Sequence, residues 1–292
     1  MFKNEITVSY VVKKAVKQLS DSFTQREKKR ISKELVLSFL DISEHEYVLE
    51  RNAPVDNTVF KQITDATGRI NSGVPFQYVL GKTFFYDHEF EVDERALIPR
   101  PETEELVHHM IDLLNKKELN ESTVLDVGTG TGCIAISLKK AIDTLTVDAV
   151  DLSVEALDLA RANARTLGAD VRFFQGDVIS DEFGNEKYDV IVSNPPYIPT
   201  SERRKMSDHV LDHEPHLALF IDDEDPIIFY KKISDLGLSM LKNRGYLFFE
   251  IHENFALEVK NYLFLKGYEN VTITKDLQGK DRVVTAQLNI HE

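Results

Sequence analysis

From residue 122 onward, short apolar runs alternate with helical stretches, and few architectures accept that rhythm. Thr123–Val127, Leu145–Val150, Val171–Phe174, Tyr188–Val192 and Tyr246–Ile251 have the length and composition of strands. Between them, Leu157, Ala160, Ala164 and Leu167 repeat with the helical period. Strands interleaved with helices imply βαβ units, hence a parallel sheet covered by helices on both faces. Val271–Thr274 and Val283–Leu288 would add two edge strands, which makes seven.

The amino-terminal part has a different pattern. Val8, Val11, Val12, Ala15, Val16 and Leu19 form one apolar helix stripe, and Ile31, Leu35, Val36, Phe39 and Leu40 form a second. Ser43 with Glu46 fits a capping box opening a third helix, and Asp56 or Asn57 a cap for a fourth. The basic run 26–30 reads as a solvated face. Residues 83–92 read as two short strands around Asp87-His88, and Thr103 as the cap of the helix that follows. The expected layout is therefore a helical recognition domain (1–72), a β-hairpin linker (73–100) and a doubly wound, mostly parallel α/β domain (101–292).

Charge separates the parts too. Residues 1–70 carry 12 Lys and Arg against 10 Asp and Glu, so the total of −14 leaves −16 on residues 71–292. Such a surface disfavours broad nucleic-acid binding, which needs a basic stripe to displace counterions. One cysteine, Cys133, excludes an internal disulfide and any paired-cysteine metal or redox site. No apolar run approaches the ~18 residues of a membrane span, and the first residues have no signal-peptide core. The expectation is a cytoplasmic, monomeric protein without a membrane anchor.

The strongest local signal is Val124–Cys133, a strand running into Gly128-Thr129-Gly130-Thr131-Gly132 and then a helix. Glycines there let the backbone bend and approach a ligand closely. The spacing is not that of dinucleotide enzymes, and no Lys-Ser/Thr pair follows for a phosphate loop. Asp151, at the end of the next strand and 19 residues beyond Gly132, can accept both hydroxyls of a ribose. Together these mark a nucleoside site.

A second signal, Asn194-Pro195-Pro196-Tyr197, follows the strand Tyr188–Val192. In open α/β sheets, ligands bind at the carboxyl ends of strands. The prolines remove two N–H donors and leave carbonyl acceptors. Asn194 adds a side-chain carbonyl, and Tyr197 a flat face. Two acceptors beside a ring suit a planar –NH2 on an sp² carbon. Other features fit ordinary roles. Cys133 reads as a small buried filler, Asp222–Asp225 as a solvated loop, and His209, His213 and His216 as surface residues, with no metal site expected. Arg100 and Glu102 either orient a substrate loop or brace the hairpin.

Asp126–Gly132, Asp151 and Asn194–Tyr197 resemble the class I S-adenosylmethionine-dependent methyltransferases that modify amino or amide nitrogen. Gly73–Gly81, Leu97–Glu104 and His213–Leu219 are similar to segments of the peptide-chain release factor glutamine methyltransferases, and that likeness spans nearly the whole chain. It implies methyl transfer from S-adenosylmethionine to the glutamine of the Gly-Gly-Gln motif in class I release factors. Asn194, Pro195 and Tyr197 would be catalytic, with Pro196 completing the substrate contact. Gly128–Gly132, Asp151, Asp177, Val178 and Asn194 would hold the cofactor. The chain departs from the family at Gly68–Asn71, at Val178, where an aromatic is frequent, and at His252–Phe255 in place of Gly-x-x-Gln. Two other readings stay open: a DNA or RNA adenine N6-methyltransferase, and a non-catalytic cofactor-binding adaptor.

Overall fold

The computed structural model describes residues 6–180, 183–184, 186–205 and 208–290. By contact the chain divides into two compact units.

The first unit contains α1 (Val8–Gln18), α2 (Gln25–Leu40), α3 (Glu44–Leu49), α4 (Asn57–Asn71) and α5 (Phe76–Leu80), with α9 (Asp208–His213) from further along the chain. Side-chain caps start α1 to α4. Ser43 and Glu46 form the expected capping box, Thr24 and Glu27 form another, and Asp56 rather than Asn57 caps α4. Its core packs Val11 and Ala15 of α1 with Ile31, Leu35 and Val36 of α2 and Ile63 and Ile70 of α4. The basic run is not uniformly solvated, because Lys28 is buried and its ammonium meets Asp21 at 2.7 Å. The unit closes at Gly81, where φ is +72°.

The second unit opens with β1 (Lys82–Phe85) and β2 (His88–Glu91), an antiparallel hairpin. Its turn falls on Tyr86 and Asp87, both at positive φ, one residue earlier than the sequence suggests. Phe85 and Phe90 are buried in one core with Leu106 and Met110, so the hairpin packs as part of this unit. The main sheet holds β3 (Thr123–Val127), β4 (Thr146–Asp151), β5 (Val171–Gln175), β6 (Tyr188–Ser193), β9 (Leu241–Glu250), β10 (Tyr268–Lys275) and β11 (Asp281–Leu288), in the order β10-β11-β9-β6-β3-β4-β5. Pairing is parallel from β9 to β5 and antiparallel at β11 and β10. A two-residue parallel pair, β7 (Ile198–Pro199) with β8 (Phe220–Ile221), lies apart.

Successive residues feed opposite faces of the sheet. Val124 and Phe248 join the core of α6 (Pro101–Lys116) and α7 (Cys133–Ala141). Leu125 and Phe249 join that of α10 (Ile228–Met240) and α11 (Ala256–Leu265). α8 (Val154–Leu167) follows β4. Two expectations are corrected. β11 is not an edge strand: it lies between β9 and β10, with Val283–Ala286 buried, because the β10–β11 hairpin folds back and leaves β10 outside. Thr103 is not a cap either. Arg100 holds that position and Pro101 the first helical one, where its missing N–H is no loss.

The candidate active site

β3, β4 and β5 step in one direction across the sheet, while β6 lies on the other side of β3. That reversal is where open α/β sheets bind ligands. Register brings the two motifs to it: Val127 pairs with Ser193, so the glycine loop and Asn194 leave adjacent strands side by side.

Gly128, Gly130 and Gly132 all have positive φ (+75°, +54° and +81°), which explains three glycines in five residues. Gly132 is held twice over, since a Cβ there would meet Ile136 at 2.9 Å and Ala160 at 3.2 Å. Asp151 accepts the Gly130 N–H at 2.8 Å through one oxygen and the Ser153 N–H at 2.9 Å through the other. It thus fixes the loop and the start of α8, and each oxygen keeps a lone pair for a hydroxyl. Burial pushes its pKa up. Asn163 of α8, missed in the sequence, donates to the Thr131 carbonyl at 3.0 Å and also bridges the N–H and carbonyl of Glu91.

Asp126 is fully buried. Thr129 donates to one of its oxygens at 2.7 Å, and the other has no partner. Desolvation pushes its pKa to about 7. Three left-handed glycines and an orphaned buried oxygen form a cradle that suits S-adenosylmethionine, whose methionine end carries N–H donors. Asp177 sits in a local turn, accepting from Ile179 N–H and Ser180 Oγ. Val178 is half-buried against the core of α10 and α11.

At the second motif Pro195 is buried, while Asn194, Pro196 and Tyr197 are half-buried. Asn194 Nδ2 donates to Thr103 Oγ1 at 3.1 Å, and Thr103 donates to Glu250 Oε2 at 2.7 Å. Tyr197 Oη donates to Glu250 Oε1 at 3.1 Å. Burial and the Glu250 charge push the Tyr197 phenol pKa up, so the ring stays neutral. His252 meets the Tyr197 ring edge-on, 6.0 Å between centroids. Glu250 has no exposed surface, and desolvation raises its pKa. The sequence does carry a signal for it: one carboxylate inside the apolar run 246–251. Arg100 pairs with Glu214, whose carboxylate also accepts the Ile98 N–H, so Leu97–Glu104 and His213–Leu219 meet.

Cys133 is buried at the start of α7, and desolvation lifts its thiol to about 12, which excludes a ready nucleophile. The His209 side chain lies outside the described residues. Among the described residues no cluster of three His, Cys, Asp or Glu is placed to hold a metal, and no helix is long and apolar enough to cross a membrane. A cavity at the opposite, amino-terminal ends of β3 to β6 is lined by Lys139, Asp148, Arg172 and Glu186 among others. Arg172 there is already paired with Asp148 and Glu186.

Residues 104–214 match the family described as Methyltransferase small domain. A release factor glutamine methyltransferase of Flavobacterium psychrophilum is 37% identical over 270 residues, 92% of this chain and 95% of that one. Another, of Bacillus subtilis, is 43% identical over 222 residues, 74% of this chain and 76% of that one. The chain belongs to the release factor glutamine methyltransferase family. A methyltransferase from Pyrococcus furiosus, 18% identical and covering 69% of this chain and 89% of that one at a TM-score of 0.52, shares the fold. This family member is a methyltransferase. The nucleic-acid and adaptor readings are not favoured.

Proposed function

We propose that this cytoplasmic enzyme methylates the side-chain amide nitrogen of the glutamine in the Gly-Gly-Gln motif of class I release factors. Family membership supports the substrate class. The observation that carries the chemistry is the state of Asn194. Its Nδ2 is engaged by Thr103, and no group among the described residues donates to its Oδ1 or to the Pro195 carbonyl. Two acceptors therefore stand ready at the end of β6, beside the glycine loop.

S-adenosylmethionine, when bound, supplies a methyl group activated by its sulfonium. Gly128–Gly132 and Asp151 would hold its methionine end and ribose, with Asp177 and Val178 beside the base. Asn194 Oδ1 and the Pro195 carbonyl accept the two N–H bonds of the substrate amide. An amide nitrogen is a poor nucleophile because its lone pair is delocalised. Holding both hydrogens favours a pyramidal nitrogen with its lone pair aimed at the methyl. Orientation of this kind supplies ~7–11 kcal/mol in favourable cases. Acceptors fixed where positive charge develops add electrostatic stabilisation. No general base is required, since the nitrogen sheds its proton to water after transfer. Tyr197 packs against the amide plane, its ring held by His252 and its hydroxyl by Glu250.

The negative balance of residues 71–292 supports a protein over a nucleic-acid substrate. Labelled S-adenosylmethionine offered in parallel with a release factor, duplex DNA and ribosomal RNA, followed by peptide mapping, tests the reading. Label is expected on one glutamine of the release factor. Label on nucleic acid alone, or on nothing, overturns it.

A further inference from the structure

Glu250 ends β9, and register explains why it stands beside Asn194: Ser193 pairs with Phe249, so each following residue leaves the sheet next to the other. Two hydroxyls converge on this carboxylate, Thr103 Oγ1 at 2.7 Å and Tyr197 Oη at 3.1 Å. Arg282, held by Asp276 and the Ile251 carbonyl, supplies the nearby positive charge.

The direction of these bonds has a chemical consequence. Two donating hydroxyls and Arg282 favour the ionised form of Glu250 against its burial, and an ionised carboxylate only accepts, so it takes the Thr103 proton. Thr103 Oγ1 then has only lone pairs to offer Asn194. Lone pairs select the NH2 end of that amide, which turns Oδ1 to the opposite side. With the amide reversed, Asn194 would present N–H donors to a substrate –NH2 that also donates. Shape would scarcely change, because the two ends of an amide are nearly the same size. Attraction would become repulsion.

We propose that Thr103 and Glu250 are positioning residues that set which end of the Asn194 amide faces the substrate. Glu250 orients the Tyr197 hydroxyl by the same means. The inference rests on the amide-methylation reading above and extends it to residues that touch neither substrate nor cofactor. It also gives a chemical role to the third residue of the helix after Ile98-Pro-Arg-Pro.

The test uses the full chain, labelled S-adenosylmethionine and a release factor, with cofactor affinity measured separately by calorimetry. Thr103→Val keeps the shape and removes the hydroxyl. We expect kcat to fall roughly 10–100-fold, the range for misplacing a reacting group. Cofactor Kd and release-factor KM should stay within about threefold of wild type, and Thr103→Ser should restore most of the rate. Should Thr103→Val not fold, Thr103→Ala removes the same hydroxyl and carries the same expectation. Glu250→Gln should lower kcat as well, because an amide cannot accept from both hydroxyls through its two ends. Adding Thr103→Val to Glu250→Gln should cost little more, since both act on one chain of bonds. Wild-type kcat in a folded Thr103→Val, equal losses in the Val and Ser variants, or a parallel loss of cofactor affinity overturns the inference alone. A wild type that labels no glutamine overturns the parent reading and the inference with it.

Discussion

Arg100 and Glu214, 114 positions apart in the chain, meet at 2.6 Å, and the Glu214 side chain is only 1% exposed. The carboxylate also accepts the Ile98 N–H at 3.3 Å, which anchors the strand-like segment entering α6. Arg100→Ala would leave that charge buried without its partner. Breaking a buried pair costs about 3–5 kcal/mol, and the half-open Arg100 places this one near 3 kcal/mol. Glu214→Gln in the same chain removes the stranded charge, so the double variant should regain part of the loss. Urea unfolding of the wild type, both singles and the double measures the coupling. Simple additivity would mean that the pair is incidental.

Asn194→Ala removes the side-chain acceptor and leaves the glycine loop, Asp151 and Asp126 untouched. Turnover should fall at least ~100-fold, the usual loss when a fixed transition-state hydrogen-bonding group is deleted. Cofactor affinity should hold within a few-fold. Single-turnover methyl transfer and calorimetry separate the two quantities. Loss of both together would place Asn194 in the cofactor cradle instead.

Gly132→Ala is expected to damage the loop for two separate reasons. The position has φ +81°, which an L side chain rarely adopts. The new Cβ would also press on Ile136 of α7 and on Ala160 of α8, where Ala160 Cα lies within 3.5 Å. Left-handed strain and overpacking each cost about 1–3 kcal/mol. The thermal midpoint and cofactor affinity should therefore fall together. Gly168→Ala, at φ +65° with open space around it, should cost less.

The glycine turn at Gly128–Gly132 and the proline-rich exit at Asn194–Tyr197 are legible as local geometry, because neighbours in the chain create the turn or the row of carbonyls. β3, β4 and β6 are legible because parallel strands buried on both faces read as continuous apolar runs. Glu250 shows in the sequence only as a carboxylate inside an apolar run, because its place beside Asn194 comes from the pairing of β6 with β9, a non-local event. Thr103 fits a cap by a sound local rule, yet Pro101 competes for the first helical position and moves the cap to Arg100. Chain order suggests an edge for β11, but strand order does not follow chain order once a hairpin folds back.

Asp126 supplies a pH dependence whose sign follows from its surroundings. Buried, with one oxygen unpartnered, its carboxyl is pushed to about 7, whereas an unfolded chain titrates near the ordinary carboxylate value of about 3.9. Between these values the folded protein holds a proton that the unfolded chain has released. Stability from this group is therefore complete below about pH 4 and declines as pH rises toward 7. His109 and His252 act in the opposite sense, because burial lowers both and favours the fold as pH rises through the imidazole range. Asp126→Asn isolates the carboxyl from that background. The gap between the variant and the wild type, both free of cofactor, should shift in favour of the variant by about 3 kcal/mol from pH 5 to pH 8. Urea midpoints at the two pH values measure it. A constant gap would mean that Asp126 is ionised throughout, and that its orphaned oxygen meets water.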